Sequence, residues 1–150
     1  MPETSDAIIS IHSGYANAIL EGTKTIELRR RVPDLAVGTR LWIYATQPTG
    51  AVVGYVTIGK ITRAAPGTLW NEHHAGTGIE YGTFKAYFNG SKAGVAIQLA
   101  AAHRTAAITI DQLRGIRSGF HPPQTLMRLT PREAEALRKL ANGHAKEDRF

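Results

Sequence analysis

Hydrophobic positions along this chain switch between a period of two and a period near four, and the switches mark out its elements. Ala7-Ile8-Ile9-Ser10-Ile11 is a short apolar run that predicts a buried strand. Ser13 then caps a helix through about Glu21, with Tyr15, Ala18 and Ile19 on one face at i, i+3 and i+4. Gly22 fits the position after a helix where a left-handed backbone stops it. Thr25 to Arg29 reads as a second strand, which sends Glu27 and Arg29 to one face and Ile26 and Leu28 to the other. Turns at Val32-Pro33-Asp34 and Val37-Gly38-Thr39 precede Arg40–Ala45, a strand of aromatic and branched residues. After the loop Gln47-Pro48-Thr49-Gly50, Ala51–Ile61 reads as a long strand in which Gly54 and Gly59 predict bulges or bends.

The second half alternates in the same way. Pro66-Gly67-Thr68 opens a helix through about His74, and Glu80–Asn89 is another, with Phe84, Tyr87 and Phe88 on one side. Gly94–Ala101 and Ala106–Ile110 predict two further strands, and Asp111 caps a short helical turn over Gln112-Leu113-Arg114. Gly119 to Gln124 is an extended loop, because each proline biases its predecessor away from helix. Thr130-Pro131-Arg132-Glu133 has a cap threonine, proline at the first helical position and glutamate three after the cap. Ala134, Leu137, Leu140 and Ala141 supply that helix's apolar face, and Gly143 is its expected stop. Curved, mostly antiparallel strands with helices between them predict an α+β domain built on a small β-barrel. Residues 1–6 read as a loose terminus, 7–128 as the domain, and 129–150 as a C-terminal helix and tail packed on it.

Composition narrows the function classes. The 150 residues carry 18 Lys plus Arg against 12 Asp plus Glu, a net charge of +6 that favours polyanionic partners, above all nucleic acid. There is no cysteine, so disulfides, thiolate metal sites and thiol catalysis are excluded. The acidic start Met1 to Asp6 lacks the apolar run of a signal peptide. The longest apolar stretch, Ala93 to Ala102, falls far short of the ~20 residues of a membrane helix. A cytoplasmic location without membrane attachment is the expectation.

The candidate chemistry lies in Gly22-Thr23-Lys24-Thr25-Ile26-Glu27-Leu28-Arg29, followed at once by Arg30 and Arg31. A carboxylate beside a guanidinium, with an ammonium at the strand's start, suits recognition of a polar planar ligand such as a nucleobase, or proton transfer. The alternatives are a solvated edge of arginines that discourages sheet pairing and a surface ion pair worth ~0–1 kcal/mol. Other motifs fail. Gly76-Thr77-Gly78-Ile79-Glu80-Tyr81-Gly82 has tyrosine where the dinucleotide fingerprint needs its third glycine, and reads as a flexible inter-helix loop. His73 and His74 are adjacent and the other histidines scattered, so no metal-ligand spacing appears, and neither metal nor cofactor is expected.

The segment Ile19 to Arg29 resembles the signature of the ASCH domain, a branch of the PUA-like superfamily: Gly-x-Lys-x-x-Glu-x-Arg, filled here by Gly22, Lys24, Glu27 and Arg29. Arg29-Arg30-Arg31-Val32-Pro33, Tyr44-Ala45-Thr46-Gln47-Pro48, Val53-Gly54, Phe84 to Gly90 and Pro122-Pro123-Gln124 follow in order and resemble a prokaryotic stand-alone subgroup, some of whose members are described as predicted transcriptional regulators. The resemblance implies a PUA-like β-barrel with a cationic cleft that recognises RNA, another nucleic acid or a modified nucleobase, in a regulatory role that leaves room for a protein partner. It implies Lys24, Glu27, Arg29, Arg30, Arg31, Tyr15 and Gln124 as binding residues. Trp42, Tyr44 and Trp70 are further aromatics for stacking, with core packing the favoured reading for Trp42. The family's hydrolases imply the alternative, Lys24 and Glu27 as a catalytic pair acting on RNA or on a modified nucleoside such as N4-acetylcytidine. This chain keeps the amidohydrolase lysine as Lys24 but carries Glu27 where that enzyme has its proposed threonine nucleophile. Glu72 and Glu80 are candidates for its distant glutamate.

Overall fold

The structure, a computed structural model, describes residues 5–147. Among these, six strands and five helices alternate as β1 (Asp6–Ile11), α1 (Ser13–Glu21), β2 (Ile26–Arg29), β3 (Arg40–Ala45), β4 (Ala51–Ala64), α2 (Pro66–Thr77), α3 (Tyr81–Tyr87), β5 (Gly94–Thr109), α4 (Ile110–Ile116), β6 (Leu126–Arg128) and α5 (Pro131–Glu147). The strands form one mixed sheet in the order β2-β5-β4-β3-β1-β6. The β1–β3 pair is parallel and the other pairs are antiparallel. Register shifts near Ile43/Tyr44 on β3–β4, and near Val52/Gly54, Tyr55/Thr57 and Ile58/Lys60 on β4–β5, curl the sheet toward a barrel. This is the α+β, PUA-like architecture expected from the sequence.

Several boundaries differ from expectation, each for a physical reason. The runs 94–101 and 106–109 belong to one strand, β5, in which Ala101 takes a left-handed φ of 51° and the ladder resumes beyond it at His103, while Ile110 opens α4. The short strand β6 falls where the sequence predicts no element; three residues between a proline loop and a helix cap carry no periodic signal. Helix α1 is capped by the His12 ring, which accepts from the Gly14 amide, while Ser13 turns its hydroxyl to the Thr46 carbonyl at 2.6 Å. Helix α4 is capped by Thr109 in a capping box with Gln112, not by Asp111. Helix α5 opens with the expected Thr130–Glu133 box but runs past Gly143 to Glu147. Asp6 belongs to β1 rather than to a loose terminus; residues 1–4 of that terminus, and the tail 148–150, lie outside the described residues.

Strand alternation sorts the core. Ile9, Leu41, Ile43, Val56, Ile58 and Ile97 meet Ala16 and Ile19 of α1 on one face. On the other, Ile8, Trp42, Tyr44, Val52 and Ile108 lie under Leu113 of α4 and Leu137 of α5. A third cluster anchors β2: Ile26 and Leu28, with Ala96, pack beneath Leu69 of α2, Phe84 of α3 and Phe88, which caps that helix. Burying a large apolar side chain contributes about 1.5–3 kcal/mol, so this cluster fixes which way the polar half of β2 must point.

Candidate nucleic-acid interface

The site begins at the end of α1. Gly22 adopts φ 86°, and its amide and those of Thr23 and Lys24 return to the carbonyls of Ala18 and Ile19. The chain thereby turns sharply into β2. Pairing places Glu27 opposite Ile97 and Arg29 opposite Val95, so both side chains project to the face that carries α1. The alternation read from the sequence is the one observed.

Lys24 is held from a second direction. Its ammonium donates to the carbonyl of Thr77, the last residue of α2. Helix α2 comes this close because Gly76 has no side chain: a Cβ there would stand 2.5 Å from Thr25 Oγ1 and 2.8 Å from Ile26 Cγ1. The Gly76 carbonyl in turn accepts from the Thr25 amide at 2.9 Å. Of the segment expected to be a flexible inter-helix loop, Gly76 and Thr77 end α2, closed by Gly78 in the left-handed region, and Tyr81 and Gly82 open α3, leaving only 78–80 between the helices.

Three charges then meet. Lys24 Nζ lies 3.8 Å from Glu27 Oε1, and Arg29 Nε donates to Glu27 Oε2 at 2.7 Å. Arg29 Nη2 also donates to the Ser10 carbonyl at 2.7 Å. That carbonyl lies just past the stretch of β1, Ala7 to Ile9, that pairs with β6. Lys24 and Glu27 are only 3% and 7% exposed. Burial pushes the Lys24 ammonium below its usual pKa of 10.5; the Glu27 carboxylate pulls it back up and Arg29 adds to the lowering.

These groups floor a cleft of about 230 Å³. Ile11, Leu28 and Ile79 give it apolar walls, and Tyr15 and Tyr87 stand at its sides. The Tyr15 ring centre is 5.2 Å from Lys24 Nζ, within cation–π range. Thr83 and Tyr87, one helical turn apart on α3, form the far wall. Arg30 is exposed beside Tyr87, with its guanidinium 4.6 Å from the ring centre and its Nε donating to the Tyr87 carbonyl at 2.9 Å.

Of the seven candidate residues, the fold brings Tyr15, Lys24, Glu27 and Arg29 into one cleft and sets Arg30 beside its wall residue Tyr87. Arg31 is exposed next in the chain. Gln124 is exposed on the segment before β6 and does not line the cleft. Trp42 and Tyr44 are buried in the core, and Trp70 lies between α2 and α3, outside the cleft. Glu72 and Glu80 are exposed and do not line it either. Sequence reasoning missed His12, Thr77, Ile79, Thr83 and Tyr87 as cleft neighbours; only the four-residue spacing of Ile79, Thr83 and Tyr87 offered a signal. Among the described residues no three His, Asp or Glu side chains gather as a metal-binding group. No helix among them is long and apolar enough to cross a membrane.

The fold and the filled signature define an ASCH domain. The family model for the ASCH domain matches residues 9–110, and the chain belongs to that family. It is 34% identical over 142 residues to an ASCH domain-containing ribonuclease of Zymomonas mobilis, an alignment covering 95% of this chain and 96% of the relative. The crystal structure of ASCH from Zymomonas mobilis superposes with a TM-score of 0.89 at 35% identity, covering 92% of this chain and 96% of that one. Human THYN1, solved in complex with 5-methylcytosine-containing DNA, shares the fold at a TM-score of 0.57 and 11% identity, covering 92% of this chain and 98% of that one.

Proposed function

We propose that this chain binds RNA and seats one unpaired base in the Lys24–Glu27–Arg29 cleft. The observation that carries the reading is the unsatisfied polarity of the cleft floor. Lys24 Nζ donates to Thr77 and has further protons to give, while among the described residues Glu27 Oε1 meets only that ammonium, at 3.8 Å, and stays open as an acceptor. A donor next to an acceptor complements the edge of a nucleobase, which alternates the same groups. A phosphate, an acceptor throughout, would meet repulsion from Glu27. Tyr15 and Tyr87 each carry a cation over one ring face, Lys24 and Arg30, so a base would stack on the other face; Arg30 and the exposed Arg31 supply positive charge for phosphates outside the cleft. The net charge of +6 and the full-length similarity to a ribonuclease support an RNA ligand.

Fluorescence anisotropy with single-stranded and duplex RNA tests this. Single strands should bind more tightly, with affinity falling steeply as salt rises. Binding that survives Lys24→Ala combined with Arg29→Ala would rule out this cleft as the site.

The same relative favours a second reading, cleavage of the bound strand. Here the sugar rather than the base enters the cleft, its 2′-hydroxyl toward Glu27 Oε1 and its phosphate on the side of the Lys24 ammonium, away from the carboxylate. Glu27 Oε1 takes the proton of a 2′-hydroxyl, whose oxygen bonds to the adjacent phosphorus as the bond to the 5′-oxygen breaks. The leaving oxygen gains a proton from Lys24, whose lowered pKa eases the transfer. A product ending in a 2′,3′-cyclic phosphate, lost in Glu27→Gln, would support cleavage; intact RNA after long incubation would leave binding alone.

A further inference from the structure

Helix α3 has two working faces. Thr83 and Tyr87 face the cleft, while Tyr81, Phe84, Lys85 and Phe88 line a separate groove of about 410 Å³ between α3 and α2. The groove's opposite wall is Trp70. Its rings form a connected set: Trp70 lies 5.2 Å from Tyr81 and 4.9 Å from Phe84, centre to centre, and Tyr81 stacks over Phe84 with 19° between planes. Phe84 and Phe88 are buried and belong to the cluster that anchors β2. Tyr81 is different. It is 53% exposed, so much of its ring meets solvent while the rest packs on Trp70 and Phe84. Among the described residues, the polar side chains lining the groove are Asn71, Asn89, Ser91 and Lys85, with no carboxylate, and the His74 ring lies 5.4 Å from Trp70.

We propose that this groove is a second nucleotide subsite, taking a base from the same single strand whose neighbour occupies the Lys24 cleft. The inference rests on the RNA-binding reading and extends it. Aromatic faces accept any base by stacking, uncharged amides pair with a base edge of either polarity, and a lone cation suits the linking phosphate. Continuity points to the strand as occupant: cleft and groove are two sides of one seven-residue helix, about 10 Å across with its side chains. Tyr81 of the groove stands between Ile79 and Thr83 of the cleft in the chain, so the two sites meet within one helical turn.

The chain's two tryptophans give a specific readout. Trp42 is fully buried with its indole N–H on Asp6, whereas Trp70 lines the groove. Titration with a single-stranded RNA octamer should therefore perturb the fluorescence of Trp70, and Trp70→Phe should abolish the change. Tyr81→Ala should weaken octamer binding about tenfold, the lower part of the range for loss of one base–aromatic stack, and Tyr81→Phe should restore it. A mononucleotide, filling only the cleft, should bind Tyr81→Ala and wild type alike. Lys85→Ala should reduce the salt slope by about one phosphate contact. Octamer binding with silent tryptophan fluorescence and undiminished Tyr81→Ala affinity would overturn the groove and leave the cleft standing. Wild-type protein that binds no RNA would overturn both. Self-association that Tyr81→Ala abolishes would assign the groove to a second copy of the chain and overturn the subsite.

Discussion

Asp6 and Glu27 are both buried carboxylates answered by arginine, yet their surroundings finish differently. Asp6 is saturated. Its Oδ2 accepts from Trp42 Nε1 at 2.9 Å and Arg138 Nε at 3.2 Å, and its Oδ1 accepts from Arg138 Nη2 at 2.6 Å. Glu27 is half-finished: Oε2 is taken by Arg29, while Oε1 has only Lys24 at 3.8 Å, beyond hydrogen-bond range. Both clusters line cavities, of about 320 Å³ at Asp6 and about 230 Å³ at Glu27, but the first commits its charges to tying α5 to the start of β1. Buried polar groups left without partners cost free energy, so an unfinished cluster at a cavity points to a ligand, while a finished one points to architecture.

The sharpest break of this comparison is Glu27→Ala. It strands the buried Lys24 and the partly buried Arg29 without their shared carboxylate and should cost about 3 kcal/mol in urea unfolding while abolishing RNA binding. Asp6→Ala comes next, at about 2 kcal/mol for the loss of charged hydrogen bonds. Its RNA affinity, measured by anisotropy under conditions where it stays folded, should match wild type; a parallel fall would erase the distinction between the clusters.

Glu133 extends the comparison to a second saturated carboxylate. Arg117 donates to both its oxygens at 2.6 and 2.7 Å, and Thr130 completes the helix cap, which together hold its pKa at about 2 instead of 4.5. A carboxylate with a depressed folded pKa stabilises fully above 4.5, and that stability is lost as pH falls through about 2. Glu133→Gln should cost about 1–2 kcal/mol at neutral pH, with affinity unchanged, and should flatten that acid-side loss in calorimetry.

Lys24→Met should have the smallest stability effect, within about 1 kcal/mol of wild type, because removing a desolvated ammonium offsets what Glu27 loses. RNA affinity should still fall about tenfold. The pH profile carries the sign. Lys24 binds its proton less readily folded than unfolded, so wild-type stability rises with pH from the lowered folded value up to 10.5. That rise should be absent in the methionine variant.

Much of the candidate site is legible in the order of residues alone. Gly22 stops a helix, Lys24 follows, and strand alternation puts Glu27 and Arg29 on one face; all of this is local. Arg29's bond to the Ser10 carbonyl and Lys24's bond to the Thr77 carbonyl are not legible there, because they join residues 19 and 53 positions apart through backbone oxygens, which every residue carries alike. The glycine run 76–82 misleads for a related reason. Gly76 serves close approach of a helix to β2, a role that looks the same in sequence as a flexible loop. Gln124 shows the reverse error: two prolines present it rigidly, but on a segment outside the cleft.

The sequence by itself determined most of the elements, their amphipathic faces and the family, because hydrophobic period and a spaced signature act over a few residues; it missed β6 and split β5 in two. Only the tertiary structure decided that Lys24 is buried rather than solvated, that Glu27 keeps one oxygen open, and that α3 divides a charged cleft from an aromatic groove. Those outcomes depend on how the curl of the sheet and the packing of α2 and α3 on β2 distribute burial, and burial decides whether a charge is a solvated surface group or a poised binding group.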